Sequence, residues 1–106
     1  MSIGIPRIKD VNTETLTGTT VLTVNSAYHQ ILDPGGAGRE LDMPNGALQG
    51  QECMITNTAD MAEAITVKQS DSSTTVIVID QNESAMLVCN GAGSTAGWQA
   101  VGITEA

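Results

Sequence analysis

Ser26, His29 and Asp33 carry the groups of a nucleophile, a general base and an orienting carboxylate within one short stretch. Side chains alternate along an extended chain, so His29 and Asp33 would share a face while Ser26 falls in the turn before them. Nucleophilic catalysis also needs a sharp elbow under the nucleophile and donors for the oxyanion. No serine here sits in a GxSxG arrangement that would supply them. The expectation is a half-exposed strand histidine, not a catalytic base, and no enzymatic activity.

The other reactive groups read the same way. Cys53 and Cys89 each lie inside an apolar, strand-like run, where cysteine behaves as a small buried hydrophobe. Their separation matches no zinc spacing, and a disulfide would call for an oxidising compartment. The glycine-rich segments Pro34 to Gly38 and Gly91 to Gly97 precede no helix and carry no phosphate-loop lysine, so they read as turns. Asp33, Asp42, Asp60, Asp71, Asp80 and Glu83 all fall at or beside expected turns, as solvated capping groups. Calcium would need several of them to converge, and no DxDxDG-type loop arranges that. No cofactor or metal is expected.

Composition narrows the partners. The chain has 106 residues, 41% hydrophobic and 2% aromatic, with no Phe, so one domain must build its core from Val, Ile, Leu, Met and Ala. Net charge is −8, which opposes a phosphate backbone, and stacking aromatics are scarce; nucleic acid is not expected as a partner. No apolar run approaches the ~20 residues that span a bilayer, so no membrane is expected either. Charge is unevenly placed. Residues 1–18 balance Arg7 and Lys9 against Asp10 and Glu14, whereas residues 19–106 set Arg39 and Lys68 against ten carboxylates.

These groups must be positioned by strands. Residues 1–18 read as an extended N-terminal arm, with Ile3, Ile5 and Ile8 interrupted by Gly4 and Pro6. Strand signals then recur at Thr19–Asn25, Tyr28–Asp33, Gly38–Met43, Gln51–Asn57, Ala64–Gln69, Thr74–Asp80, Glu83–Asn90 and Gly97–Ile103. Thr74–Asp80 is the strongest, a β-branched run that suits a strand buried on both faces. Turn-formers such as Pro44-Asn45-Gly46 separate the strands, and no solenoid-type repeat is evident. Eight short strands at regular spacing predict an all-β domain over 19–106. The expected form is an eight-stranded antiparallel β-sandwich, jelly-roll-like, with Leu22, Val24, Ile55, Ile65, Val67, Ile77, Leu87 and Trp98 in the core.

The ordered set Leu41 to Gly46, Gly50 to Asn57, Gln81 to Ala85, and Asn90-Gly91 with Gly97-Trp98 resembles a module of bacteriophage virion proteins. The resemblance covers about Thr19 to Val101. It implies a small β-domain of the kind found as head decoration (cement) proteins and in tail fibres or spikes, commonly as trimers. A start at Met1 and the want of a coiled-coil or repeat shaft lead to the expectation of a free-standing decoration protein. Such a protein, made in the bacterial host cytoplasm, would bind the major capsid protein on the capsid exterior and stabilise capsomer contacts. The alternative is a receptor- or glycan-binding head module of a tail fibre or spike, with Trp98 and Tyr28 as its aromatic candidates.

Two further expectations concern contacts. Apolar strands such as Val76 to Ile79, with Met43, Met54 and Met86 left for outer faces, exceed what one small core hides, so a homotrimer is expected. The arm is expected to dock on the capsid through Ile3, Ile5, Pro6, Arg7, Ile8 and Lys9. There the apolar groups need a groove and the two cations can meet opposite charge.

Overall fold

The structure, a computed structural model, describes residues 10–91 and 97–104. Every regular element among them is a β-strand. In chain order these are β1 (Val11–Thr15), β2 (Thr20–Val21), β3 (His29–Asp33), β4 (Arg39–Asp42), β5 (Glu52–Asn57), β6 (Ile65–Lys68), β7 (Thr75–Ile79), β8 (Ser84–Cys89) and β9 (Trp98–Thr104). All eight expected strands are present. A ninth, β1, lies in the segment expected to be arm, so the sheet begins there. It pairs with β3 from Val11↔His29 to Thr15↔Asp33. Its polar sequence, VNTET, carries no apolar alternation to reveal it.

The strands form a five-stranded sheet, β1-β3-β5-β8-β9, and a four-stranded sheet, β2-β4-β6-β7. Through β6 the chain alternates between them, and like-sheet strands run parallel: β1 with β3, β3 with β5, β2 with β4, and β4 with β6. Only then does it double back. β7 is antiparallel to β6, β8 to β5, and β9 to β8. The expectation of an all-antiparallel jelly-roll is corrected accordingly.

The physical reason lies in the links. Residues 16–19, 34–38 and 58–64 are short enough for hairpins, but each carries the chain across to the other sheet. Leu16, at the first crossing, donates its N–H to Asp33 O at 2.7 Å and is 2% exposed. Parallel neighbours need long crossovers, and here the crossover is a strand of the opposite sheet. The register climbs from Val11 to His29 to Met54 on one side and from Thr20 to Leu41 to Val67 on the other. These steps are unequal, so no fixed period marks the coils in the sequence.

One core lies between the sheets. Leu32, Ile55, Ala85 and Leu87 face it from one side, Leu41, Ile65, Val67 and Ile79 from the other, and Leu16, Leu22, Met43 and Trp98 fill out the cluster. Burying each of the larger side chains contributes roughly 1.5–3 kcal/mol before entropy is counted. The expected core differs at two places. Val24 is 41% exposed, because β2 ends at Val21 and Thr23 to Ser26 form a turn; Ile77 is only partly buried. β7, the strongest strand signal, is an edge strand with Val78 44% exposed, not a strand buried on both faces. Met43, assigned to an outer face, is 1% exposed in the core.

Candidate functional site

Ser26, His29 and Asp33, weighed as a catalytic trio and set aside in the sequence, do not come together in the structure. Ser26 Oγ accepts from Thr23 N at 2.9 Å, and Asp33 Oδ1 accepts from Gly35 N at 2.9 Å. His29 and Asp33 do share the outer face of the five-stranded sheet, since Gln30 and Leu32 between and beside them are buried. There His29 Nε2 lies 2.8 Å from Thr56 Oγ1, and Thr56 Oγ1 lies 2.8 Å from Ser84 Oγ. Three strands, β3, β5 and β8, supply this His–Thr–Ser row. The register Ile31↔Thr56↔Ser84 aligns the two hydroxyls, and His29 reaches across from its place beside Met54.

A hydroxyl donates only once, so the row conducts in one direction at a time. With Nε2 unprotonated, Ser84 donates to Thr56 and Thr56 to His29, which draws hydroxyl protons toward the imidazole. Hydrolysis would also need N–H groups aimed at a developing oxyanion. β5 lies between β3 and β8, so its amides are committed to the sheet ladders. The row is a hydrogen-bonded network on the sheet face.

Carboxylates gather in two places. Oxygens of Asp33, Asp60 and Glu63 all lie within 4.8 Å of one another, at the end of β3 and in the β5–β6 link. Glu63 Oε1 is buried without a hydrogen-bond partner. Three hard oxygen donors at that spacing are a set that a cation of the calcium type accepts. Asp33 and Asp60 stand at turns, as their sequence context indicates, whereas their convergence with Glu63 depends on the β3–β5 register, which no local pattern announces.

The second gathering is on the outer face of the four-stranded sheet. Glu40 and Asp42 occupy alternate positions of β4, and Lys68 of β6 stands in register with Asp42. Lys68 Nζ meets Glu40 Oε1 at 3.1 Å. Asp42 is 6% exposed, and its Oδ1 is buried without a partner. Burial, and then the hydrogen bond and charge of Glu40, push the Asp42 carboxyl up to about 6. The bond from Asp42, and then Lys68, hold Glu40 below the usual carboxylate range. Of the two carboxyls, Asp42 takes up a proton first as pH falls.

The thiols of Cys53 and Cys89 are free and buried, and burial pushes Cys53 up to about 12, too high for a nucleophile near neutrality. Trp98 is 3% exposed and donates Nε1–H to Pro44 O at 3.0 Å, so its ring presents no platform to a ligand. Tyr28 is half-buried, with its hydroxyl 3.3 Å from Met86 Sδ. The proposed docking residues Ile3, Ile5, Pro6, Arg7, Ile8 and Lys9 lie outside the described residues.

The residues that carried the virion resemblance hold the backbone in place. Asn57, 0% exposed, donates Nδ2 to Glu63 O at 2.8 Å and Ile79 O at 2.9 Å and accepts from Ala59 N at 2.9 Å. Gly46 and Gly50 take φ of 82° and 87°, and Asn82 takes 62°. Gln81 Nε2 donates to Ala59 O at 3.1 Å, and Glu83 Oε1 accepts from Asp80 N at 2.8 Å. Comparison with known protein families and with curated proteins gives no match.

Proposed function

We propose that this chain is a non-enzymatic structural protein of a bacteriophage virion. In this reading it is a head decoration (cement) protein that binds the major capsid protein on the outer surface and braces neighbouring capsomers. The two sheets around one core are read as a β-sandwich, and three copies as its assembled form.

One observation carries the reading. Several residues of the virion-module resemblance (Gly46, Gly50, Asn57, Gln81, Asn82 and Glu83) hold turns through backbone conformation or hydrogen bonds, with Asn57 tying together β5, the β5–β6 link and β7. A resemblance made of such residues is one of architecture. A non-enzymatic role is supported by the buried Cys53 and Cys89 thiols and by the separation of Ser26 and Asp33 from the His29–Thr56–Ser84 row. Decoration adds interface area across capsomer seams, and a ligand that binds only the assembled shell stabilises it by mass action. The segment 1–9, with three isoleucines, Arg7 and Lys9, is the docking element in this reading.

Quantitative mass spectrometry of purified particles tests it. Hundreds of copies per particle are expected; a handful would place the chain in the tail, and none would end the reading. A chain beginning at Asp10 is expected to fold and to lose binding to heads. Unchanged binding would remove the arm from the account.

A further inference from the structure

β2 is the most weakly held strand of the fold. It pairs with β4 only through Thr20↔Leu41 and Val21↔Asp42, and Leu22 N then donates to Asp42 O at 2.9 Å. The same Asp42 carries the buried, unpartnered Oδ1. The charges around it do not balance. Glu40 stands two residues back on β4, Lys68 is its register neighbour on β6, and Asp71 contributes from the β6–β7 turn. β2 contributes Thr20 and Val21, which do not titrate. Lys68, the cation that faces it among the described residues, is already engaged with Glu40 at 3.1 Å. An ionised Asp42 would therefore be a buried anion beside the half-buried Glu40, sharing Lys68 with it, and such a charge is relieved by taking a proton or by reaching water.

We propose that Asp42 is a proton-operated latch for the first coil: protonated, it seats β2 on β4, and ionised, it releases β2 and the chain leading into it. The step is a single proton exchange, Asp42 COOH to COO⁻, with the proton passing to water. Opening hydrates the carboxylate, so deprotonation and opening drive each other. The folded carboxyl sits near 6, against an ordinary value of 3.8. The contribution to closure is therefore complete below about pH 4 and is lost as pH rises through about 6. Burial is the first cause of that displacement, and Glu40, which stays beside Asp42 on β4 when β2 lifts, is the next, so opening releases only part of it: about one unit, an opening equilibrium about tenfold larger at pH 7 than at pH 4. The inference concerns the isolated chain and stands apart from the virion reading.

Amide exchange, corrected for the intrinsic dependence on pH, tests it at single residues. The Leu22 amide is expected to lose about tenfold in protection between pH 4 and pH 7, while Met54, whose N–H donates to Tyr28 O at 2.8 Å, does not change. In Asp42→Asn the Leu22 protection is expected to be flat with pH. Glu40→Gln should move the midpoint down and Lys68→Gln should move it up. Carboxyl carbon NMR of the unsubstituted protein gives the Asp42 titration directly, whatever the variants do. A midpoint at the ordinary carboxylate value, or a Leu22 amide indifferent to pH, overturns the proposal. So does a change at Leu22 that survives in Asp42→Asn.

Discussion

Gln69 grips both backbone groups of Trp98: its Nε2 donates to Trp98 O at 2.7 Å, and its Oε1 accepts from Trp98 N at 3.1 Å. A side-chain amide here does what a neighbouring strand would do, and it joins the end of β6 in one sheet to the start of β9 in the other. Gln69 is 5% exposed, so removing the amide leaves two buried backbone groups unpaired. Gln69→Ala is expected to cost about 3 kcal/mol, read from chemical denaturation at unchanged m-value. A loss below about 0.5 kcal/mol would mean that water replaces the amide.

Gly35 has φ of 77°, and a Cβ built there would sit 2.5 Å from Leu16 O. That carbonyl belongs to the first crossing between the sheets and cannot move aside without disturbing the Leu16 N–Asp33 O bond. Gly35→Ala thus meets both a left-handed backbone and a backbone clash, and should destabilise by more than about 1 kcal/mol. Gly46→Ala, with φ of 82° but nothing within 4 Å, isolates the conformational part. The thermal midpoint should fall further for Gly35→Ala than for Gly46→Ala.

Asp71 organises the β6–β7 turn. Its Oδ1 accepts from Ser73 N and Thr74 N, each at 2.9 Å, and its Oδ2 from Thr74 Oγ1 at 2.7 Å. The Thr74 and Ser73 amides hold its carboxyl down to about 2, below the ordinary 3.8. A depressed folded value means the contribution is present above about pH 4 and disappears as pH falls through about 2. Asp71→Ala should therefore melt below the parent protein at pH 7 and converge with it near pH 2. A gap that persists at pH 2 would assign the loss to packing.

The meeting of Asp33, Asp60 and Glu63 oxygens within 4.8 Å places like charges together in the metal-free protein. Removing one charge should stabilise it. Asp60→Asn is expected to gain about 0.5 kcal/mol at low ionic strength, shrinking toward zero in 1 M salt as the repulsion is screened. The thermal midpoint of parent and variant across a salt series measures it, and a gain independent of salt would discard the repulsion.

Strand positions and most of their faces were legible because period-2 alternation survives in short runs. Cys53 and Ile55 turn inward while Glu52, Met54 and Thr56 turn outward, as the alternation requires. Pairing was not legible, because alternation reports a face and says nothing of the neighbour on either side. Residues 34–38 look the same whether they close a hairpin or hand the chain across to the other sheet. β1 escaped because an edge strand whose Asn12 bonds Gln30 at 2.9 Å needs no apolar period to hold it. For the same reason the His29–Thr56–Ser84 row and the Asp33–Asp60–Glu63 cluster were invisible: each depends on register between strands far apart in the chain. Asp42 was legible only as a turn carboxylate, since its place between β2 and β6 is set by strand order.

The change from parallel winding to antiparallel return gives the molecule a direction in time. The β6–β7 pair closes over residues 69–74 alone, whereas each parallel pair waits for an intervening strand of the other sheet, so its loop entropy must be met before any ladder bond forms. Pulse-labelled exchange during refolding should protect Val67 and Ile79 before Leu32; the reverse order would refute this. During synthesis the ribosome delivers the parallel half first and the antiparallel half last. The early-emerging strands must then wait, with β5 and β6 each open along one edge, for β7 and β8, and until those emerge these edges are exposed to wrong partners.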